Sequence, residues 1–360
     1  VIQKANIPEF LALAKTCPVL DVRSPAEYNH AHIPGAYNLP LFSDEERKVV
    51  GTLYKQQGRE QAIKDGLDYF GPKMRSIVES AEAIVATHPN AQQPNTVLVH
   101  CWRGGMRSAG IAWLLDLYGF KVYTLAGGYK SFRNWVLQQF EKPYNLNILG
   151  GNTGAGKTLV LKDLAKANHH IIDLEGLANH KGSAFGALGE EAQSTQEMFE
   201  NKLAVQLSAI ASQLPESEAI WVEDESRRIG SVNLPAAFWG NMQHSPLYFL
   251  DVPFEERLRY ITAGYGVFKK EDLVNAIMRI QKRLGGLNTK NAINYLLENN
   301  YTEAFRILLS YYDKYYERDL EERRKINKRI TTITCTDART SCEKLLATKQ
   351  LHHGITDTRI

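Results

Sequence analysis

The chain has 360 residues, 44% of them hydrophobic and 23% charged, with a formal net charge of +3, a length that suits about two or three globular domains and a composition that excludes bulk disorder. No stretch reaches the roughly 18 uninterrupted apolar residues of a membrane span, since even GIAWLLDLYGF is broken by Asp116. Only Cys17, Cys101, Cys335 and Cys342 are present, with neither C-x-x-C nor His/Cys zinc spacing, which argues against a disulfide framework and a structural zinc or other metal. The first part, about residues 1–140, alternates short apolar runs (Val19 to Val22, Thr96 to Val99, Lys121 to Leu125) with helical stretches, the pattern of an open α/β parallel sheet. A polar insertion at about 42–76, carrying Lys48, Lys55, Arg59, Lys64, Lys73 and Arg75, reads as helical and partly basic. The helix after Ser108 is amphipathic and stops near Gly119.

A short linker near Glu141 to Tyr144 leads to a second alternation over 144–255: strand LNILG, a glycine loop, helix TLVLKDLAKA, strand HIIDL, a long helix around Met198 to Leu214, and strands AIWV and PLYFLDV. This is the pattern of a P-loop mononucleotide-binding α/β domain. Residues 256–360 turn helical and basic and are expected to complete that domain, with Leu273, Ile277, Ile280 and Leu284 at helical spacing and Gly285-Gly286 as a stop.

Two loops carry chemistry. TVLVHCWRGGMRSAGIAWLL reads as a buried strand, a glycine loop and a helix whose N-terminus points back at Cys101, where N–H groups, the helix dipole, Arg103 and Arg107 would stabilise a thiolate or a bound anion. His100, a strand neighbour facing the other way, reads as structural, as do Cys17, Cys335 and Cys342. GGNTGAGKT matches G-x4-G-K-[ST] between a strand and a helix: Gly151, Asn152, Thr153, Gly154, Ala155 and Gly156 form the phosphate cradle, Lys157 neutralises phosphate charge, and Thr158 can hold Mg²⁺. Asp173 and Glu175 end one strand of this domain, and Glu223, Asp224 and Glu225 follow another; these acids are candidates to orient metal or substrate, equally readable as solvated charge.

The blocks LDVRSPAEYNHAHIPGAYNLP and LAGGYKSFRNW resemble the rhodanese family over about the first 135 residues. That resemblance makes Cys101 the chalcogen-carrying nucleophile of a rhodanese-like domain. Here, however, the cysteine-to-arginine spacing is one residue longer than in ordinary sulfur-transferring members, as in related phosphatases, and a wider loop suits a tetrahedral oxyanion. Read in order, HCWRGGMRS, GGNTGAGKT, DLEGLANHKGSAFG and VEDESRRIG resemble the bacterial tRNA 2-selenouridine synthases over essentially the whole chain. The resemblance implies replacement of sulfur by selenium at a wobble 2-thiouridine in the tRNA anticodon region, with selenophosphate and geranyl diphosphate as co-substrates and an S-geranylated intermediate. It also implies a selenophosphate-producing partner, and the lack of a membrane span or of secretory-signal features in VIQKANIPEF leads to the expectation of a cytoplasmic enzyme.

The helical C-terminal part interleaves bases with aromatics, and Arg279, Arg283, Arg323, Arg324 and Lys328 are its candidate tRNA contacts, against the alternative of an amphipathic helix with solvated charges. Two other function classes fit the motifs. One is a rhodanese-fold phosphatase, arsenate reductase or sulfurtransferase fused to an NTPase; the other is a nucleotide-switched RNA-binding module in which Cys101 is expendable.

Overall fold

The computed structural model describes residues 2–89, 95–215, 217–336 and 342–347, and divides them into two compact units, 1–139 with 200–205 and 140–199 with 206–360. The first unit contains β1 (Gln3–Ala5), α1 (Ile7–Leu13), β2 (Val19–Asp21), α2 (Pro25–His30), β3 (Tyr37–Asn38), α3 (Asp44–Gln56), α4 (Arg59–Phe70), α5 (Met74–Thr87), β4 (Thr96–His100), α6 (Met106–Tyr118), β5 (Lys121–Leu125) and α7 (Gly128–Phe140). Its strands form one parallel sheet in the order β1-β5-β4-β2-β3. Every residue of β4 is buried, which is why TVLVH reads as a continuous run rather than an alternation.

Much of the rhodanese-type signature serves this scaffold. Arg23 is buried and donates from Nε to both oxygens of Asp21 at 2.9 and 3.0 Å and from Nη2 to the Ala31 carbonyl, while its guanidinium lies 3.8 Å from the centre of the Tyr129 ring. A buried pair persists only when its remaining hydrogen-bonding capacity is met, and the Ala31 carbonyl and Tyr129 face contribute to that here. His100 is fully buried, 3.7 Å from Asp21, and burial holds its imidazole below the ordinary pKa, in keeping with a structural role. Cys17, Cys335 and Cys342 are buried free thiols. The insertion folds as the neighbouring helices α3 and α4; α3 opens with a capping box in which the Ser43 hydroxyl accepts from the Glu46 N–H and the Glu46 carboxylate accepts from the Ser43 N–H at 2.8 Å.

The second unit runs β6 (Leu146–Gly151), α8 (Lys157–Lys166), β7 (Ile171–Ile172), α9 (Leu174–Ala178), α10 (Gln196–Ala211), β8 (Ile220–Glu223), β9 (Arg228–Ile229), β10 (Val232–Asn233), α11 (Ala236–His244), β11 (Leu247–Asp251), α12 (Phe254–Tyr265), α13 (Lys270–Leu284), α14 (Gly286–Leu297), α15 (Tyr301–Ile326) and β12 (Ile330–Thr334). Five strands form a parallel sheet ordered β12-β11-β6-β8-β7, and β9 and β10 make a separate hairpin. β6 is central, and the chain leaves it toward β7 and β8 before crossing to β11 and β12. Ligands in such sheets bind beyond the carboxyl ends of the strands where the winding reverses. The C-terminal part is therefore not helical throughout: β12 pairs in register with β11 and closes the sheet edge. No helix among the described residues is long and apolar enough to cross a membrane.

Candidate functional site

In the first unit β4 ends at His100, and the loop from Cys101 to Gly105 delivers the chain into α6. The Cys101 carbonyl accepts from the Tyr129 N–H at 2.8 Å and the Trp102 carbonyl from the Lys130 N–H at 2.9 Å, so the start of α7 clamps the loop from behind. Gly128, at φ +61°, makes this approach possible: a Cβ there would lie 2.4 Å from both the Cys101 carbonyl oxygen and the Gly104 nitrogen. This gives the LAGGYK block its physical reason.

Cys101 is 3% exposed, and its sulfur lies 3.2 Å from the Ser108 hydroxyl. Burial is the largest influence and pushes the thiol up. The Ser108 hydroxyl and N–H, the Arg107 guanidinium and the Gly105 N–H together outweigh it and hold the thiol below its ordinary value. Arg107 is in turn fixed by Glu27 of α2, Nη1 to Oε2 at 2.6 Å, while Arg103 is exposed at the loop. Cys101 and Arg103 thus lie on the loop and Arg107 in the first turn of α6, with Arg107 oriented by Glu27 and Arg103 exposed. Glu27 belongs to the signature but was not singled out for the site; its link to Arg107 spans 80 positions and leaves no local sequence signal.

In the second unit β6 runs into the phosphate loop, and Gly156 caps α8. Gly154, at φ +82°, faces α12 so closely that a Cβ would meet the Arg257 carbonyl oxygen at 3.0 Å and Ile261 at 2.9 Å. Lys157 folds back to donate to the Gly151 carbonyl at 2.9 Å, with its ammonium 5.4 Å from the centre of the Tyr316 ring. Burial works against its charge, but Tyr316, Glu225, Glu175 and Asp224 outweigh burial and keep the ammonium firmly protonated.

The candidate acids divide by environment. Asp173 caps α9, accepting the Gly176 N–H at 2.7 Å. Glu175 accepts from the Thr158 hydroxyl at 3.3 Å and shares a side-chain hydrogen bond with Glu225. Glu223, paired in register with Leu149 beside the loop strand, accepts the Glu175 N–H at 2.6 Å, and its other oxygen has no partner. Burial first and neighbouring carboxylates second raise all three glutamates, Glu225 to about 8. Two carboxyl groups joined by one hydrogen bond, both raised, hold a proton between them at neutral pH. Asp224 points elsewhere, to Arg323.

That contact corrects the reading of Arg323 as a tRNA-binding residue. It is 5% exposed, donating to Asp224 at 2.6 Å and to the Met242 carbonyl at 2.7 Å, because its position on α15 faces α11 and the segment after β8. Its neighbour Arg324, a helical step of about 100° away, is exposed, as are Lys328, Arg279 and Arg283. The tyrosines of α15 split the same way. Tyr312 accepts the Ala184 N–H and Tyr316 bonds Thr153 of the phosphate loop, whereas Tyr311 and Tyr315 line an outer groove of about 650 Å³ with Arg283, Lys314 and Arg318. Sequence reasoning missed Arg257, which is buried, chelates Asp313 through two bonds of 2.8 Å and donates to the Thr153 carbonyl at 3.2 Å. It anchors the phosphate loop to α15.

For Mg²⁺ the donors around Thr158 are all oxygens, and the partnerless oxygen of Glu223 adds one more, a set that suits a hard cation. Among the described residues no three His, Cys, Asp or Glu side chains form a preformed cage. A magnesium ion held by Thr158 and Glu175 would therefore depend on substrate oxygens for the rest of its shell.

A family model described as the tRNA 2-selenouridine synthase AAA domain matches residues 144–352, and one described as a rhodanese-like domain matches residues 7–134. The chain is 36% identical over 337 residues to a tRNA 2-selenouridine synthase from Sulfurovum sp. (strain NBC37-1), covering 84% of this chain and 89% of that one. Against the protein of the same name from Hydrogenovibrio crunogenus the identity is 36% over 342 residues, with 86% and 91% covered. The corresponding Bdellovibrio bacteriovorus protein is 34% identical over 349 residues, with 85% and 89% covered.

Proposed function

Since the chain belongs to the tRNA 2-selenouridine synthase family, we propose that it replaces the sulfur of a wobble 2-thiouridine in tRNA by selenium, using geranyl diphosphate and then selenophosphate. Thiocarbonyl sulfur is a poor leaving group, so alkylation comes first. The sulfur attacks C1 of the geranyl group, the S–C bond forms, the C–O bond breaks, and the electron pair leaves on diphosphate while N3 of the base gives up its proton. The phosphate loop suits the departing diphosphate, with Lys157 neutralising the charge that develops. A bound magnesium ion would add to that neutralisation. The Glu175–Glu225 pair, already protonated once, adds little repulsion against the incoming polyanion.

The cysteine loop suits the selenium donor. Selenium in selenophosphate is already fully reduced, so moving it onto the cysteine as a perselenide would demand an oxidant. Attack at phosphorus does not. The Cys101 thiolate displaces selenide from the tetrahedral phosphoryl group: the S–P bond forms, the P–Se bond breaks, and the electron pair leaves with selenium. Selenide adds to C2 of the S-geranylated base, the C–S bond breaks, and geranyl thiol departs with a proton. Water then hydrolyses the S–phosphate bond and regenerates the thiol. The observation carrying this reading is the geometry around Cys101, whose sulfur lies 3.2 Å from the Ser108 hydroxyl beside Arg107, itself held by Glu27, a setting that favours the thiolate. The outer groove of Arg283, Lys314, Arg318, Tyr311 and Tyr315 supplies cations and aromatic faces of the kind that hold RNA phosphates and unstacked bases.

Incubation with thiouridine-containing tRNA, geranyl diphosphate and selenophosphate, followed by mass analysis of nucleosides, should give selenouridine. Cys101→Ser should keep the fold and lose selenium incorporation, because an alcohol of far higher pKa does not form the attacking anion. Full selenation by that variant would remove the cysteine from the reaction. The loop width also favours phosphatase chemistry, and rapid RNA-independent hydrolysis of an aryl phosphate would point there instead.

A further inference from the structure

A cleft of about 1440 Å³ lies entirely within the first unit, between the α3–α4 insertion and the cysteine loop, and Cys101 itself lines it. Its volume exceeds the roughly 300–1,000 Å³ of an ordinary small-molecule pocket. The walls are apolar: Phe42, Ile63, Leu67, Phe70, Met106 and Trp113 line it. Several of these are not simply core residues, since Leu67 is 57%, Met106 49% and Trp113 50% exposed. Long apolar side chains left this open and gathered around one cavity mark a binding site rather than incomplete packing.

The charged lining has one sign. Arg47, Lys48, Lys55, Arg103 and Arg107 contribute, and no Asp or Glu does. The basic insertion and the basic cysteine loop therefore face the same space. An occupant matching this surface has an apolar chain joined to a group rich in anionic oxygens, and it ends close to the Cys101 sulfur.

We propose that this cleft receives the prenyl chain of an S-alkylated thionucleotide in RNA, the chain lying among Phe42, Phe70, Met106 and Trp113, and the flanking phosphates meeting the Arg and Lys side chains. This assigns the insertion a function: it forms the wall that recognises the alkylated intermediate and brings the reacting base to the cysteine loop. Trp102, exposed on that loop, offers a face on which the base can stack. The chain would then serve as a tag by which the selenium step distinguishes activated from unactivated thiouridine. The inference rests on the S-geranylated intermediate proposed above.

The test is binding of the full chain to two anticodon stem-loop RNAs, one carrying S-geranyl-2-thiouridine and the other S-methyl-2-thiouridine. Burial of the longer chain should make the geranyl RNA bind roughly 100-fold more tightly. Gly110→Leu should reduce that preference to less than about tenfold; the new side chain fills the cleft without straining the backbone, because a Cβ at Gly110 meets only the Phe70 ring edge at 3.9 Å. Leu67→Ser, at an exposed lining position, should reduce the preference too, and serves if Gly110→Leu fails to fold. An undiminished geranyl preference in folded Gly110→Leu and Leu67→Ser would overturn the proposal. So would loss of free geranyl diphosphate binding in Gly110→Leu with binding of the geranyl RNA unchanged, which would give the cleft to the diphosphate. The functional reading fails separately: wild-type protein with a Gly110-dependent geranyl preference but no selenouridine product keeps the cleft and loses the reaction, whereas selenation with no geranyl preference loses only the cleft.

Discussion

Glu225→Gln should change how the stability of the chain depends on pH. The Glu225 carboxyl is 7% exposed and is pushed from 4.5 to about 8, first by burial and then by Glu175, with Lys157 opposing. An acid raised in the folded state contributes stability that is fully present below its unfolded pKa and lost as pH rises through its folded pKa, so the window runs from about 4.5 to 8. Inside that window the unfolded carboxylate is bare and the folded group holds its proton, and each pH unit removes at most about 1.4 kcal/mol. Between pH 5.5 and 7.5 the limit is about 3 kcal/mol; sharing of the proton with Glu175 reduces the expected loss to about 1–2 kcal/mol. Glutamine keeps the shape, can donate a hydrogen bond to Glu175 and does not titrate. Urea unfolding at pH 5.5, 6.5 and 7.5 should therefore show a wild-type chain that loses about 1–2 kcal/mol more than Glu225→Gln across the range. The comparison between chains cancels the half-buried His32 and the buried His100, whose lowered values act in the opposite direction. Parallel profiles for the two chains would refute the shared proton.

Other perturbations follow from single contacts. Arg257→Ala removes the cation from a pair that is 5% and 16% exposed and frees the Thr153 carbonyl, so unfolding of the second unit should come about 3–5 kcal/mol sooner by chemical denaturation. Arg323→Ala should likewise destabilise that unit, through loss of the part-buried Asp224 contact, whereas Arg283→Glu with Lys314→Glu should leave stability nearly unchanged and flatten the salt dependence of tRNA binding. The reverse result would return Arg323 to the RNA surface. Gly128→Ala forces a Cβ against the Cys101 carbonyl at a positive φ and should cost about 1–3 kcal/mol, with faster alkylation of Cys101 by iodoacetamide as the loop loosens.

What the sequence discloses is what is local. Both loops are contiguous, each lies between a strand and a helix, and the residues that make them work are a few positions apart, so their element context and charge are legible. The insertion is legible only as helical and partly basic; its division into α3 and α4 comes with the structure, where Ser43 and Glu46 cap the first helix locally. What it hides are the partners that lie far along the chain. Arg257 and Asp313 are 56 positions apart, and Arg323 and Asp224 are 99 apart, yet each pair fixes the surroundings of the phosphate loop. Within RDLEERRKINKRI nothing marks Arg323 as buried and Arg324 as exposed, because only the packing of α15 against α11 decides which face is covered. The short strands β1, β3 and β12 escaped for a related reason: ITTIT becomes a strand by pairing with β11, which no local pattern announces. The cleft beside Cys101 is likewise a product of tertiary structure, formed by residues from four separate helices and the loops between them.

The most direct measurement of the proposed division of labour is a two-stage nucleoside assay on Lys157→Ala and Cys101→Ser. With thiouridine tRNA and geranyl diphosphate, Lys157→Ala should form S-geranylated uridine at least about 100-fold more slowly than wild type, since the departing diphosphate loses its neutralising ammonium, yet it should convert pre-geranylated tRNA to selenouridine at the normal rate. Cys101→Ser should form the geranylated nucleoside normally and stop there. Normal geranylation by Lys157→Ala together with failed selenation would contradict the account and assign the phosphate loop to the selenophosphate step.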